Sequence, residues 1–255
     1  MKLFSRIYGR GVPVIILHGL FGMSDNWNSI AKRFSQYFNV HVLDLRNHGR
    51  SPHSLYFNYD LLSNDVLEYI CDHQLNNPII IGHSLGGKVA MKVSLQKPDK
   101  VSKLVVVDIA PRTYNIDFHK NILLALNKLY LKGFNERKEI DQELSVSIQD
   151  SRIRAFLLKN IYFDIENQEF QYRMNIESLL KELININDNI YTNQNSNIPA
   201  LFLKGENSNY ITIEDEELIH SIFSNAKIDT INKSGHWIHA ENPNLFYDKV
   251  LEFCL

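Results

Sequence analysis

The sequence has little cysteine and no long apolar run. Of its 255 residues only Cys71 and Cys254 are cysteines, and without Cys-x-x-Cys or Cys/His spacing they predict neither a disulfide framework nor a metal site. No apolar stretch reaches the roughly 18 residues that a membrane span needs. The N-terminus also lacks the apolar region of a secretion signal. These absences predict a cytoplasmic protein with no membrane span.

The sequence also has no large excess of charge of either sign. Its 27 Lys and Arg residues are opposed by 29 Asp and Glu residues, for a formal net charge of −2. A protein that binds a nucleic acid needs a surplus of cations to neutralise phosphates, so no nucleic-acid partner is predicted. The hydrophobic fraction of 44% is typical of a folded globular domain. A chain of this length can form a single domain over residues 1–255.

Short runs rich in Val and Ile alternate with amphipathic stretches. The runs predict strands at 14–17, 40–43, 79–81, 104–107, 200–203 and 227–231. The amphipathic stretches predict helices at 30–38, 59–74, 85–96, 214–223 and 245–254. Continuous apolar strands of this kind are buried on both faces of a parallel sheet. The sequence therefore predicts an α/β fold with a mostly parallel, doubly wound sheet.

The alternation stops after the strand that ends at Val107. Between residues 111 and 197, helical patterns at 121–131, 153–160 and 174–186 follow one another with no strand signal between them. We refer to residues 111–197 as the insertion and predict that it is a helical cap. Ligands of open α/β sheets bind at the carboxyl ends of the strands, so a cap inserted there should cover the site.

The strongest chemical motif is Gly82-His83-Ser84-Leu85-Gly86, which follows an apolar strand and precedes a helix. In that context Gly-x-Ser-x-Gly is a nucleophile elbow, a tight turn that exposes the serine hydroxyl at the edge of the sheet. The alternative is a glycine-rich turn with a serine that caps the helix. The flanking strand and helix favour Ser84 as a nucleophile.

A serine nucleophile needs a base that is neutral near the working pH, and histidine is the usual choice. His236 lies in a loop between the last predicted strand and the terminal helix, in the chain position expected for this base. His239, three residues later, is the alternative base. Either histidine could instead have a purely structural role in the loop.

Two strand ends could supply the carboxylate that orients the histidine. The commonly used position follows the penultimate strand, where this sequence reads Gly205-Glu-Asn-Ser208 and has serine in place of aspartate. One strand earlier, an apolar run ends in Asp108. We predict Asp108 as the acid, with Glu206 as the alternative.

Acyl transfer also needs N–H groups that face the developing oxyanion. Leu85 follows the nucleophile, and a His18-Gly-Leu20 loop follows the first strong strand, as in many esterases. We therefore predict the backbone N–H groups of Leu85 and Leu20 as the donors, with Phe21 as the alternative to Leu20. The polar loop at 44–51 is expected to be held together by hydrogen bonds.

Several motifs resemble those of bacterial YbfF-type esterases and related mitochondrial α/β-hydrolase-domain proteins. They span nearly the whole chain: His18-Gly-Leu-Phe-Gly, Asp44-x-Arg-Asn-His-Gly, Gly82-His-Ser-x-Gly-Gly-Lys88, Val107-Asp-Ile-Ala-Pro111, Gly205-x-Asn-Ser-x-Tyr210 and Gly235-His-Trp-x-His-Ala-Glu. The resemblance implies the α/β-hydrolase fold, with Ser84, Asp108 and His236 as a catalytic triad. It also implies a supporting hydroxyl from Ser208 near the histidine.

Together these observations predict an esterase that needs no cofactor or metal and hydrolyses small acyl esters, or thioesters such as acyl-CoA, through an acyl-enzyme on Ser84. Two alternatives use the same fold. One is a lyase like that of the menaquinone pathway, whose triad abstracts a proton. The other is a small-molecule receptor in which the triad binds a ligand without turnover.

Overall fold

The computed structural model describes residues 1–190 and 194–255. Its strands are β1 (Ser5–Tyr8), β2 (Val12–Leu17), β3 (Phe38–Leu43), β4 (Ile79–His83), β5 (Lys103–Val107), β6 (Ile161–Asp164), β7 (Glu169–Tyr172), β8 (Ala200–Gly205) and β9 (Ala226–Ile231). All of these except β6 and β7 form one sheet in the order β1-β3-β2-β4-β5-β8-β9. Among the described strands of this sheet, only β1 runs antiparallel to its neighbour. The predicted mostly parallel sheet is confirmed.

Helices cover both faces of this sheet. They are α1 (Asn28–Phe34), α2 (Tyr59–Asp72), α3 (Leu85–Gln96), α4 (Asp117–Lys128), α5 (Arg137–Ser147), α6 (Ser151–Leu158), α7 (Ile176–Lys181), α8 (Leu183–Asn187), α9 (Ile213–Ile222), α10 (Ile238–Glu241) and α11 (Pro243–Cys254). None of these helices has the length and hydropathy needed to cross a membrane.

Alternate residues of the central strands enter two separate apolar layers. In β2, Ile15 and Leu17 pack with the α2, α3 and α9 side of the sheet, while Val14 and Ile16 pack with α1 and α11. Successive side chains of a strand point to opposite faces, so both faces of these strands must be apolar to be buried. This explains why the strands appear in the sequence as uninterrupted runs of Val, Ile and Leu.

Two predicted boundaries at the start of the chain differ from the structure. The helix predicted over 30–38 ends at Phe34, because the apolar residue Phe38 is already the first residue of β3. Strand β1 was not predicted. It is a four-residue edge strand whose side chains are mostly half-buried, so it carries neither an apolar run nor a clear alternation.

The insertion contains α4 to α8 and a two-stranded hairpin formed by β6 and β7. The expectation that it has no strand is wrong, because strands of four residues are too short to show a period. Helix α5 was also not predicted, and the stretch at 174–186 forms two short helices, α7 and α8. Residues 191–193 of the insertion lie outside the described residues.

Lys88, on the helix that follows the elbow, connects that helix to both ends of the insertion. Its side chain is buried, with 1% of its surface exposed. Its Nζ donates to the backbone oxygens of Arg112, Asn187 and Asp188, and it lies 4.9 Å from the Tyr114 ring centroid. In its charged form the side chain has three N–H donors, one for each of these carbonyls. Burial lowers the pKa of Lys88 to about 7.

Replacing Lys88 by Met should therefore destabilise the protein. The substitution keeps most of the apolar stem but leaves buried carbonyls without a donor, which costs about 1–3 kcal/mol for each such group. We expect Lys88→Met to lower the free energy of unfolding by at least about 2 kcal/mol in urea titrations.

Lys92→Met is the matched control, one turn later on the same helix. Lys92 pairs with Asp60, whose side chain is 71% exposed, and such surface pairs contribute about 0–1 kcal/mol. Equal losses of stability in the two variants would contradict the role assigned to Lys88.

Candidate active site

Ser84 lies in a strained turn between β4 and α3. Its φ of 51° is in the left-handed region, which is uncommon for residues other than glycine. A Cβ at Gly82 would lie 2.2 Å from the Gly86 oxygen, and a Cβ at Gly86 would lie 2.4 Å from the last carbonyl oxygen of β2. Both positions require glycine because backbone occupies the space of a side chain. The Ser84 N–H donates to the Val107 oxygen at 3.0 Å, which ties the turn to β5.

Asp108 follows the end of β5 and is completely buried. One carboxylate oxygen accepts from the Gly205 N–H at 3.0 Å. The other accepts from the Ser208 hydroxyl and lies 2.8 Å from Nδ1 of His236. A buried carboxylate is costly unless its oxygens are hydrogen-bonded. The donors around Asp108 satisfy this requirement and connect three loops at the edge of the sheet.

The imidazole of His236 is held from several sides. Because Nδ1 faces the Asp108 carboxylate, Nδ1 carries the proton in the neutral ring and Nε2 is the free base. The Tyr210 ring stacks on the imidazole with centroids 3.8 Å apart and planes 19° apart. The backbone oxygen of His236 accepts from Nε2 of His83 at 2.8 Å. These contacts leave Nε2 of His236 as the nitrogen able to accept a proton.

The structure places the alternative acid, Glu206, elsewhere. Its carboxylate accepts from the backbone N–H of Lys233 at 2.7 Å and makes no hydrogen bond to His236 within residues 1–190 and 194–255. Ser208, at the commonly used acid position, donates to Asp108 and accepts from the Tyr210 N–H at 3.3 Å. Ser208 therefore contacts the carboxylate that holds the imidazole.

The alternative base, His239, lies beside Trp27. The two rings are stacked, with centroids 4.0 Å apart and planes 8° apart. His239 also lies edge-on to His83, at 4.9 Å. Its imidazole is buried without a contact to Asp108 among the described hydrogen bonds. Of the two candidate bases, only His236 is next to a carboxylate.

The two residues predicted to supply the oxyanion donors line one small pocket together with Ser84. Leu85 is the first residue of α3, so its N–H has no partner within the helix. Leu20 lines the cavity that contains Ser84. The Phe21 N–H, the alternative to Leu20, already donates to Nε2 of His48 at 3.3 Å. This hydrogen bond removes Phe21 as a free donor, so Leu20 stays the predicted donor from this loop.

The polar loop at 44–51 is organised by hydrogen bonds, as predicted. The Asp44 carboxylate accepts from the backbone N–H groups of Ser24 and Arg50 at 2.5 and 2.8 Å. Nε2 of His18 accepts from the Leu45 N–H at 3.0 Å. These bonds connect the 44–51 loop to the loop that carries the predicted oxyanion donor.

The cavity beside Ser84 and His236 has a volume of about 350 Å³, within the usual range of small-molecule sites. Its apolar lining comes partly from the insertion, with Phe118, Ile122, Ile153, Phe156 and Leu157, and partly from outside it, with Leu20, Phe21, Trp27, Tyr210 and Trp237. The residues from the insertion belong to its helices α4 and α6. The insertion therefore supplies a large part of the surface that an apolar substituent would contact.

The described residues contain no group of three or more His, Cys, Asp or Glu side chains arranged to hold a metal ion. Both cysteines are free thiols.

A family model described as the alpha/beta hydrolase fold matches residues 12–243. The chain belongs to the α/β-hydrolase family. This α/β-hydrolase is 36% identical over 250 residues to "sn-1-specific diacylglycerol lipase ABHD11" of Xenopus tropicalis, covering 95% of this chain and 78% of the relative. It is 30% identical over 234 residues to "Esterase YbfF" of Escherichia coli, covering 91% and 89% of the two chains.

A solved structure titled "Marine microorganism esterase" superposes on this α/β-hydrolase with a TM-score of 0.96 and 45% sequence identity, covering 99% of both chains. These similarities confirm the predicted resemblance to YbfF-type esterases. They also confirm that the chain is a hydrolase of the ester-hydrolysing class.

The sequence assigned no definite role to two side chains at this site. Tyr210 stacks on His236, and His119 of α4 reaches the same cavity from the insertion. Neither lies in a motif with a known chemical role for that residue type. Tyr210 ends one of the motifs that carry the family resemblance, which indicated that it lies near the site. His119 lies in none of those motifs.

Several histidines of this α/β-hydrolase are held neutral by burial. Burial lowers the pKa of His18 to about 4 and the pKa of His239 to about 3. Burial, together with the neighbouring His18, lowers the pKa of His48 to about 3. Burial also places the pKa of His83 well below its ordinary value. The folded protein therefore resists protonation at these four side chains.

Stability should fall as the pH drops below about 6.5. Above that pH these imidazoles are neutral in both the folded and the unfolded state. Below it the unfolded chain binds protons at these imidazoles and the folded protein does not. Each such histidine can contribute a slope of up to about 1.4 kcal/mol per pH unit. Urea unfolding between pH 5 and 7 should show this slope.

His48→Asn should reduce the slope, while His220→Asn, at an exposed position of α9, should leave it unchanged. A free energy of unfolding that stays constant from pH 7 to pH 5 would contradict the assignment.

Proposed function

We propose that this α/β-hydrolase is a serine carboxylesterase that works through an acyl-enzyme on Ser84, with Asp108 and His236 completing the triad. The observation that carries the proposal is the 2.8 Å contact between Nδ1 of His236 and buried Asp108, beside the cavity that Ser84 lines. A strained serine, a free Nε2 and an oriented imidazole are the requirements of nucleophilic acyl transfer.

In the first half of the reaction, Ser84 Oγ attacks the ester carbonyl carbon while Nε2 of His236 takes the hydroxyl proton. The carbonyl oxygen becomes an oxyanion, which the N–H groups of Leu20 and Leu85 stabilise. The tetrahedral intermediate then collapses. The bond to the leaving oxygen breaks, the imidazolium gives its proton to that oxygen, and the alcohol leaves.

In the second half, water attacks the acyl-enzyme in the same way. His236 takes a proton from the water, the oxyanion forms again between Leu20 and Leu85, and the bond to Ser84 Oγ breaks. The proton returns to Oγ and the carboxylic acid leaves. Asp108 holds the imidazole in one tautomer and stabilises its cationic form in both halves.

The apolar wall of the cavity supports substrates with an apolar group next to the ester. We propose that the insertion acts as a cap of the single domain, because α4 and α6 supply a large part of that wall. The proposal includes thioesters, since a thiolate can leave in place of an alkoxide by the same addition and elimination. The names of the relatives, an esterase and a diacylglycerol lipase, support esters with an acyl chain.

Ser84→Ala should abolish ester hydrolysis and covalent labelling by a fluorophosphonate. Wild-type enzyme should also release alcohol from an activated ester in a burst that matches the enzyme concentration, because an acyl-enzyme accumulates. A lyase would give no burst, and a receptor would be labelled without turnover.

Ser94→Ala is the matched control. Ser94 is buried on the same helix and donates to the Met91 oxygen at 2.8 Å, away from the cavity. This variant should keep activity and labelling. Normal turnover by Ser84→Ala would overturn the proposal.

The two candidate carboxylates can be separated by amide substitution. Asp108→Asn should lower kcat by up to roughly 10⁴-fold, because an amide favours the wrong imidazole tautomer. Ser208→Ala should cost roughly tenfold, because it removes one hydrogen bond to the carboxylate, which is worth about 0.5–1.5 kcal/mol. Glu206→Gln should have little effect, since its carboxylate contacts Lys233 instead. The measurement is kcat for the three variants in one assay. If Glu206→Gln lost most of its activity while Asp108→Asn stayed active, Glu206 and not Asp108 would be the acid of the triad.

A further inference from the structure

His119, on α4 of the insertion, is a polar group in the mostly apolar roof of the cavity. It lines the main cavity together with Ser84 and His236. It also lines a smaller pocket that contains Ser84, Leu20 and Leu85, the nucleophile and the two oxyanion donors of the proposed reaction. The side chain therefore lies at the junction of these two spaces, next to the place where the ester carbon must sit.

The imidazole of His119 lacks a hydrogen-bond partner among residues 1–190 and 194–255. Its Nδ1 is shielded from solvent, and its described ring neighbours are Phe21 and Phe118, with centroids 6.0 and 5.4 Å away. Buried polar atoms in folded proteins nearly always have a partner, so an exception in a cavity needs an explanation.

The other histidines close to Ser84 have a hydrogen-bond partner or a stacked ring beside them. His18 contacts the Leu45 N–H, His83 contacts the His236 oxygen, and His236 contacts Asp108. His239 also has an Nδ1 without a partner, but its ring lies flat against Trp27. His119 combines an unpartnered ring with a position in both pockets.

His119 is also neutral near pH 7. Burial, with a smaller contribution from His236, lowers its pKa to about 4. A neutral imidazole presents one donor and one acceptor. It can therefore bind either a hydroxyl or a carbonyl without adding charge to an apolar cavity.

We propose that His119 is a specificity residue that hydrogen-bonds an oxygen substituent, a hydroxyl or a carbonyl, located within a few bonds of the substrate's ester group. The inference rests on the proposed esterase function and narrows its substrate class from plain alkyl esters to oxygen-bearing ones. The substituent can belong to the acyl part or to the alcohol part, and the experiment separates these two sources.

The physical basis is discrimination by an unpaired polar group. A plain alkyl ester offers the unpartnered ring of His119 no hydrogen bond, whereas a hydroxylated ester supplies one. Sites that bind a substrate hydroxyl through a buried polar group reject the analogue without it far more strongly than apolar pockets reject a missing methylene.

The test compares kcat/KM for butyl butyrate, butyl 3-hydroxybutyrate and 2-hydroxybutyl butyrate. We expect the wild-type enzyme to prefer one or both hydroxylated esters by at least about tenfold. Preference for the first hydroxylated ester places the oxygen on the acyl part, and preference for the second places it on the alcohol part. Equal values for all three esters would overturn the inference.

The variants His119→Leu and His119→Asn assign the preference to this side chain. In His119→Leu the ratio of kcat/KM between the preferred hydroxylated ester and butyl butyrate should fall to about one, because leucine cannot hydrogen-bond. His119→Asn, which keeps a donor and an acceptor, should restore part of the ratio. If His119 had only a structural role, His119→Leu would lower the rates for all three esters together and leave this ratio unchanged. An unchanged ratio in His119→Leu would therefore overturn the inference. Absence of turnover of every ester by wild-type enzyme would instead refute the proposed function.

Discussion

The close approach of backbone to backbone at the turn after β4 is the constraint on which the rest of the site depends. At Gly82 and Gly86 no Cβ can be accommodated, and this absence of side chains lets α3 start directly above the sheet. Ser84 has a φ of 51°. Its turn is hydrogen-bonded to the end of β5 and lies in close contact with the end of β2. The strain is kept because the surrounding sheet and helix over-determine the turn, as expected for a functional position.

A second constraint is the burial of the Asp108 charge. The carboxylate is inaccessible to water, so donors from the loops after β8 and β9 must replace its hydration. The same contacts bring His236 to the edge of the sheet, 128 positions away in the chain. The hydrogen bond from His236 to Asp108 therefore both stabilises the buried charge and orients the imidazole.

The insertion is connected to the elbow helix by Lys88 and to the His236 loop by aromatic stacking. Tyr114, near the Lys88 ammonium, stacks on Tyr210 with centroids 5.3 Å apart, and Tyr210 stacks on His236. The insertion thus contacts the helix that follows the proposed nucleophile and the tyrosine that stacks on the proposed base. This continuity gives a physical reason to expect that changes in the insertion alter substrate preference as well as stability.

The sequence by itself determined the features that are encoded locally. The double-sided strands, the glycine pattern around Ser84 and the position of Asp108 at a strand end each depend on a few neighbouring residues and on the rule that parallel strands end at one edge. The hairpin β6–β7 and the edge strand β1 escaped prediction because four residues carry no period. Only the tertiary structure decided which carboxylate contacts His236, that the Phe21 N–H is occupied, and that Lys88 and His119 meet the site. Those contacts join residues far apart in the chain, and their energies come from burial and hydrogen bonding that no local pattern records.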